Sequence, residues 1–163
     1  MHESQRLVAE FHRALNHPVG THPRISRPSL RGTLIIEEAL ETSYALYRAM
    51  GWTHENARTV LICELRDALA KLNKMKWDDP EVVMAAIADG LCDLKYVLDG
   101  TAVEMGLDLD PLFAEVHRAN MSKVGGRTRA DGKSEKPQGW HPPRIEEIIE
   151  QQSQSKEGID YGK

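Results

Sequence analysis

Two groups of acidic side chains, each set in an apolar stretch with helical spacing, constrain this chain more than any other feature. The first is the segment EEALE at residues 37–41, which directly follows the apolar run LII. The second is the segment ADGLCD at residues 88–93, which has apolar residues on both sides. Like charges on a partly buried face repel one another and are costly to desolvate. A fold that buries these stretches therefore needs a compensating positive charge.

Helix geometry predicts that the acidic side chains of each group lie on one face of their helix. Glu37 and Glu41 stack one turn apart with Glu38 beside them, and Asp89 and Asp93 repeat the same spacing on a later helix. A divalent cation between the two helices would remove the cost of burial. Carboxylate oxygens suit Mg²⁺ or Mn²⁺, and two such ions about 3.5–4 Å apart would form the clamp used in phosphoryl chemistry.

The apolar pattern along the chain is helical and shows no convincing strand alternation. We predict an all-α fold, an antiparallel bundle of about five helices with an extended C-terminal loop. Expected end signals are Gly51 after the second helix, Pro80 at the first position of the fourth, and the N-caps Ser4, Thr53 and Asp110. The predicted helices cover residues 4–15, 30–50, 54–72, 80–105 and 111–123.

Composition changes after residue 125. We predict a helical domain over residues 1–125 and an extended Gly/Pro-rich loop, packing on it around Trp140, over residues 126–145. A short Glu-rich helix (145–151) and a disordered Gln/Ser/Lys tail are expected to complete residues 146–163.

Charge and hydropathy exclude several classes of function. The net charge of −4 and the pI near 6.0 give no broad basic surface for polymeric nucleic acid. No apolar run reaches the roughly 18 residues of a membrane span, and the N-terminus lacks an apolar signal core. Cys63 and Cys92 fall mid-helix without metal-type spacing, so we expect small buried hydrophobes in a reducing, cytoplasmic setting.

Taken together, these motifs resemble the signature of the all-α nucleoside triphosphate pyrophosphatases. That superfamily includes MazG-like proteins, dimeric dUTPases and phosphoribosyl-ATP pyrophosphohydrolase, and its signature is EExxE, a later acidic helix motif and Asn-x-x-Lys. The segment ADGLCDLKYV is similar to the ADxxxDLxYV helix of a bacterial and phage subgroup. The segments EVHRANMSK and GKSEKPQGWHPP are similar to that subgroup's EVHRxNMSK and GKxxKPxGWxPP. The resemblance spans about residues 5–145.

The resemblance implies a metal-dependent hydrolase that cleaves a nucleoside triphosphate between the α- and β-phosphates. The expected cofactor is Mg²⁺, with Mn²⁺ as an alternative, and the expected assembly is a homodimer or homotetramer. Glu38 is the favoured general base, although a metal-bound hydroxide could activate the water instead. The implied metal ligands are Glu37, Glu38, Glu41, Asp89 and Asp93.

Substrate contacts are expected near the C-terminal end of the fifth helix and in the following loop. Asn120 and Lys123 lie three residues apart on one face, although Lys123 could equally complement the helix dipole. Trp140 could stack on a base or anchor the loop. The full set of implied substrate-binding residues is Asn120, Lys123, Arg118, Lys133, Lys136 and Trp140.

Two departures from the pattern leave alternatives open. Gly90 stands where the common ExxD motif has Glu, so either Asp89 supplies that carboxylate or a second metal ion is bound more weakly. Glu64 and Asp67 form a literal ExxD on the third helix, and we rank them second because that helix has a more fully charged face.

Three functions fit this sequence. The first is a nucleotide pyrophosphatase that clears dUTP or a damaged or non-standard dNTP. The second is a hydrolase of the same fold that acts on phosphoribosyl-ATP or another nucleotide-linked metabolite. The third is a non-catalytic helical interaction protein that has lost a ligand, as Gly90 suggests. The sequence does not identify the preferred base.

Overall fold

Helices account for all the regular secondary structure that the computed structural model describes, namely in residues 2–75, 79–127 and 135–155. No strand occurs in those three ranges, so the all-α prediction is confirmed. In chain order the helices are α1 (Glu3–Ala14), α2 (Pro28–Ala49), α3 (His54–Leu72), α4 (Pro80–Met105), α5 (Leu109–Met121) and α6 (Ile145–Gln154).

One compact unit, Ile25–Ala85, is built on the packing of α2 against α3. The turn between these helices requires Gly51, whose φ of 80° lies in the left-handed region. Tyr47 and Trp52 stack across the turn with their ring centroids 5.2 Å apart. Thr53 then caps α3 by accepting a hydrogen bond from the Asn56 N–H at 3.2 Å. The predicted stop and start signals are therefore confirmed here.

The second unit comprises the described parts of Met1–Arg24 and Ala86–Lys163. Its centre is α5, which packs against both α1 and α6. The buried side chains of this unit include Ala102 on α4, and Leu112, Glu115 and Ala119 at i, i+3 and i+7 on α5. That spacing places the three α5 residues on one face, so α5 supplies the inward-facing stripe of the unit.

Several helix ends differ from the prediction. Ser4 lies inside α1, which begins at Glu3, and α2 begins two residues earlier than expected because Pro28 fits its first position. Asp110 is not the cap of α5. Asp108 accepts a hydrogen bond from the Asp110 N–H at 3.0 Å, so the helix begins at Leu109. At the start of α4, Pro80 holds the predicted first position.

Burial is lower than the apolar sequence pattern predicted. Ile36, which precedes the first acidic segment, is 56% exposed, and α4 has Ala102 as its one buried residue. Cys63 and Cys92 are both exposed in this chain, so the expectation that they are buried is wrong for it. A search of the described helices for a segment able to cross a membrane finds none.

The cap at the α2–α3 turn gives a test of the hairpin. Thr53→Ala removes the acceptor for the Asn56 N–H and should lower the free energy of unfolding by about 1 kcal/mol. Urea denaturation measures this loss. Thr42→Ala, inside α2 where Ala is the better helix former, is the control and should cost nothing. Equal losses in the two variants would contradict the capping role.

Candidate functional site

The first acidic group lies mid-way along α2. Glu37, Glu38 and Glu41 are all in regular helix, with Glu37 half-buried and the other two exposed. Leu40, in the same segment, faces α3 and lines a shallow apolar groove of about 210 Å³ together with Leu61, Ile62 and other α3 residues. Leu40 therefore anchors the acidic segment against α3, while the carboxylates of Glu38 and Glu41 are exposed.

The second acidic group lies on α4. Asp89 and Asp93 are one turn apart and both are exposed. They belong to the unit that contains Ala86–Lys163, whereas the α2 carboxylates belong to the other unit. Within the described parts of the chain, no three His, Cys, Asp or Glu side chains form a group that could hold a metal ion. The acidic side chains of α2 and α4 are suitable ligands for Mg²⁺, because carboxylates supply the hard oxygen atoms that this ion prefers.

The alternative acidic pair lies on α3. Glu64 and Asp67 are both exposed, as their charged surroundings in the sequence suggested. Asp67 accepts a hydrogen bond of 3.4 Å from the Nε of Arg66. Because α3 packs directly on α2, this pair keeps its place as an alternative partner for the α2 carboxylates.

Side chains from the end of α5 and the segment after it come together as what we call the Trp140 cluster: Asn120, Lys123, Lys136 and Trp140. The indole N–H of Trp140 donates to the carbonyl oxygen of Ala119 at 3.0 Å. The Nζ of Lys136 lies 4.1 Å from the indole centroid, and the Nζ of Lys123 lies 5.7 Å from it. Lys123 also donates to the side-chain oxygen of Asn120 at 2.7 Å. The cluster therefore holds two ammonium groups beside one aromatic ring.

A buried carboxylate lies one turn before this cluster. Glu115 is 7% exposed and accepts hydrogen bonds from the Nε and Nη2 of Arg118 at 2.8 and 2.7 Å. Arg144, which precedes α6, donates its backbone N–H at 2.9 Å and its Nε at 3.2 Å. The hydrogen bonds from Arg118 and then from Arg144 hold the pKa of Glu115 far below its usual range. Glu115 thus links α5 to the start of α6 through its hydrogen bonds with Arg144.

The segment that leads to Trp140 contacts the chain just after α5 through its backbone. The N–H of Glu135 donates to the carbonyl oxygen of Arg127 at 2.8 Å. A side chain at Gly126 would bring its Cβ within 2.5 Å of the Glu135 carbonyl oxygen, so only glycine fits there. Lys133, predicted as a substrate contact, lies outside the described residues.

The sequence reasoning missed Arg144 and gave Glu115 no role beyond the motif. The available signal was the i, i+3 spacing of Glu115 and Arg118, which is typical of an intrahelical ion pair. Nothing in the sequence connected Arg144 to that pair, because 29 residues separate it from Glu115.

Comparison with known proteins identifies the family. The sequence profile of the phosphoribosyl-ATP pyrophosphohydrolase family matches residues 8–120, which includes α2 and α4 with both acidic groups. The chain belongs to this family. Membership confirms the predicted relationship to the all-α pyrophosphatase superfamily, while the bacterial and phage subgroup stays a prediction.

A solved structure gives the same fold. A crystal structure of a protein from Exiguobacterium sp. 255-15, provisionally assigned as an NTP pyrophosphohydrolase, is similar with a TM-score of 0.77 and 29% sequence identity. The match covers 93% of this chain and 96% of that one. None of the curated proteins matches this chain. Family and structural neighbour together support nucleotide pyrophosphohydrolase chemistry.

The buried carboxylate predicts how stability depends on pH. Because the pKa of Glu115 is lower in the folded chain than its ordinary value of 4.5, its contribution to stability is fully present above that value. The contribution is lost as the pH falls further toward the folded-state pKa. Glu115→Gln should therefore be less stable than wild type at pH 7, with a difference that shrinks below about pH 4.5.

Chemical denaturation at a series of pH values measures this effect. Glu3→Gln is the control, because Glu3 forms the same i, i+3 pair with an arginine but is exposed. A stability difference between wild type and Glu115→Gln that stays constant from pH 7 to pH 3 would contradict the assignment.

Proposed function

We propose that this protein hydrolyses a nucleoside triphosphate between the α- and β-phosphates, releasing a nucleoside monophosphate and pyrophosphate in a metal-dependent reaction. The observation that carries the proposal is the family match over a span that retains all three glutamates of α2. The structural neighbour supports the choice of substrate, because its provisional assignment is to NTPs and it matches 93% of the chain. Removal of damaged or non-standard nucleotides, dUTP among them, is the cellular role we propose.

We assign two roles to the carboxylates, metal binding and general-base catalysis. Glu37, Glu38 and Glu41 of α2, together with Asp89 and Asp93 of α4, would hold Mg²⁺, with Mn²⁺ as a substitute. A bound divalent ion would neutralise the triphosphate and make the α-phosphorus a better electrophile. We assign Glu38 as the base that accepts a proton from the attacking water while the bond from the α-phosphorus to the bridging oxygen breaks. The proton passes to the carboxylate and the electron pair leaves with pyrophosphate.

The Trp140 cluster and its neighbours are the proposed contacts for phosphate and sugar. Asn120, Lys123 and Lys136 offer one amide and two ammonium groups, and we also retain Lys133 from the sequence motif. Arg118 is engaged by Glu115 through two N–H groups, but its side chain is 45% exposed and keeps further donors. The indole N–H of Trp140 is already hydrogen-bonded to the carbonyl oxygen of Ala119. We therefore assign Trp140 to holding the segment in place rather than to reading a base.

Phosphoribosyl-ATP is the second candidate substrate, and the name of the matching family favours it. Its hydrolysis breaks the same α–β linkage, so the acidic groups do not discriminate between the two. The segment that carries Lys123, Lys136 and Trp140 lies beyond the profile match, which ends at residue 120. Contacts from that segment would therefore be specific to this chain and its nearer relatives.

The decisive assay is pyrophosphate release from a panel of dNTPs, NTPs and phosphoribosyl-ATP with Mg²⁺ or Mn²⁺. Wild type should cleave at least one triphosphate in a reaction that EDTA abolishes. Glu38→Gln should lower kcat by about 10²–10⁴-fold, the usual contribution of a general base. Glu104→Gln, an exposed glutamate on α4, is the control and should behave as wild type.

Each contrary result has a distinct meaning. Cleavage of phosphoribosyl-ATP alone would establish the second candidate. Equal rates for wild type and Glu38→Gln would contradict the assignment of the base. An absence of turnover on the whole panel would leave the non-catalytic interaction protein as the better account.

We also propose that the chain forms a homodimer or homotetramer through α4. This helix carries an apolar stripe at heptad-like spacing, and each member is 40–58% exposed in the single chain: Ile87, Leu91, Leu94, Leu98 and Met105. Such a stripe is typical of a helix that packs against another helix. A second copy of the chain would cover it by presenting the same stripe.

Sedimentation equilibrium tests the assembly. Wild type should sediment as a dimer or tetramer, and the Leu94→Glu, Leu98→Glu double variant should shift toward monomer because it places charge in the seam. Val103→Glu introduces the same charge on another face of α4, where Val103 is 50% exposed, and should leave the assembly intact. A monomeric wild type would contradict the proposal.

A further inference from the structure

Two arginines share one buried carboxylate, that of Glu115 on α5. Arg118 meets it with a pair of hydrogen bonds, from Nε at 2.8 Å and from Nη2 at 2.7 Å. The Nε and Nη2 of Arg144 approach the same two oxygens at 3.2 and 3.5 Å. Because the Arg118 Nη2 and the Arg144 Nε both lie within hydrogen-bond distance of Oε1, the two guanidinium groups are neighbours.

The charges in this group, which we call the Glu115 triad, do not cancel. Hydrogen bonds from Arg118 and then from Arg144 hold the pKa of Glu115 far below its usual range, so it carries one negative charge at neutral pH. Both guanidinium groups stay protonated. Glu147 also lies near Arg144, with Oε2 3.9 Å from Nη1, but more than half of each side chain is exposed and water screens this pair. The triad therefore keeps an excess of positive charge.

Both arginines also keep donors for a further acceptor. The edge of each guanidinium that bears Nε and Nη2 faces Glu115. The other edge, formed by Nη1 and the second hydrogen of Nη2, is not used in these bonds. The side chains of Arg118 and Arg144 are 45% and 60% exposed, so a ligand in solution can reach them.

An anion with several oxygens suits this arrangement. Fixing a long side chain costs conformational entropy, and Glu115 already holds both arginines in place. The planar edge of a guanidinium matches the spacing of two phosphate oxygens, and hydrogen bonds between charged groups are the strong ones. Among the ligands of the proposed reaction, the polyphosphate chain has this chemistry.

We propose that Arg118 and Arg144, oriented by Glu115, bind a phosphate group of the substrate, and that Arg144 supplies the charge that makes the triad a phosphate site. This inference rests on the proposed function. Without Arg144, a phosphate would meet a neutral ion pair, and the carboxylate would offset much of the attraction of the Arg118 guanidinium. Arg144 lies beyond the profile match, which ends at residue 120. The contact is therefore a feature of this chain that the family profile does not supply.

Titration calorimetry with inorganic pyrophosphate in EDTA tests the site, because EDTA removes any contribution from a bound metal. Arg144→Gln should weaken pyrophosphate binding roughly tenfold, the loss expected for a hydrogen bond between charged groups. Arg6→Gln is the control, because Arg6 forms a simple exposed pair with Glu3 on α1 and its loss changes the net charge equally. It should bind as wild type does. Equal affinities for wild type and Arg144→Gln would overturn the site.

A gain of affinity separates binding from damage to the fold. Glu147→Gln removes the negative charge near Arg144 and should strengthen pyrophosphate binding about two- to threefold. Glu146→Gln removes an exposed charge from the same turn of α6 and should have a smaller effect. Weaker binding by Glu147→Gln, or equal gains in the two glutamate variants, would overturn the placement of the ligand at Arg144.

Thermal unfolding gives the outcome expected of a purely structural Arg144. In that case Arg144→Gln would melt at a lower temperature than wild type, while the pyrophosphate affinities of Arg144→Gln and Glu147→Gln would both equal that of wild type. The proposal predicts that the two affinities change in opposite directions, whatever the melting temperatures are.

Kinetics connect the site to the reaction. The KM for the best substrate should rise in Arg144→Gln and fall in Glu147→Gln, with little change in kcat, as expected for a contact made equally in the ground and transition states. Altered pyrophosphate affinity with an unchanged KM would overturn the assignment to the substrate. An inactive protein that still bound pyrophosphate through Arg144 would contradict the proposed function and leave the phosphate site standing.

Discussion

The carboxylate of Glu115 is the contact on which the C-terminal half of the structure depends. It is buried, and removing either arginine would leave it with fewer donors while it stays in a poorly solvated position. Through Arg144 it fixes the start of α6, and one turn further along α5 the indole of Trp140 meets the Ala119 carbonyl. At the other end of α5, the side-chain amide of Gln152 pairs with the backbone of Asp108. These contacts hold the segment along α5 and bring Lys123 and Lys136 to the same indole ring.

Charge along α2 is arranged in the reverse order of what helix stability alone would favour. The arginines stand at the N-terminal end and the glutamates in the middle, whereas the helix dipole favours acids in the first turn. An arrangement of this kind costs stability, because cations in the first turn oppose the positive partial charge of the first N–H groups of the helix. In the proposed site, a divalent ion would complement the charge of the glutamates.

Local rules recovered much of the fold from the sequence. Gly51, Thr53 and Pro80 act where turn and capping chemistry predicted, because each depends only on neighbouring residues. The cap of α5 was misplaced by two residues because Asp108 and Asp110 are equally good caps and only the observed hydrogen bond separates them.

The candidate site was harder to predict. The helical spacing and the motif of the α2 glutamates identified them as a group, and the resemblance named Lys123, Lys136 and Trp140 individually. The hydrogen bonds between Arg144 and Glu115 join residues far apart in sequence, so no local pattern predicts them. Burial was overestimated on α2 and α4, because an apolar stripe has the same sequence pattern whether or not its own chain covers it.

The central claim is that carboxylates of α2 hold a divalent ion that grips a polyphosphate. Anomalous scattering from crystals grown with Mn²⁺ and a non-hydrolysable α,β-imido nucleoside triphosphate tests it most directly. The account predicts a manganese peak bounded by Glu37, Glu38 or Glu41, with the triphosphate bound beside it. Manganese bound only elsewhere, or a triphosphate bound away from α2, would contradict it.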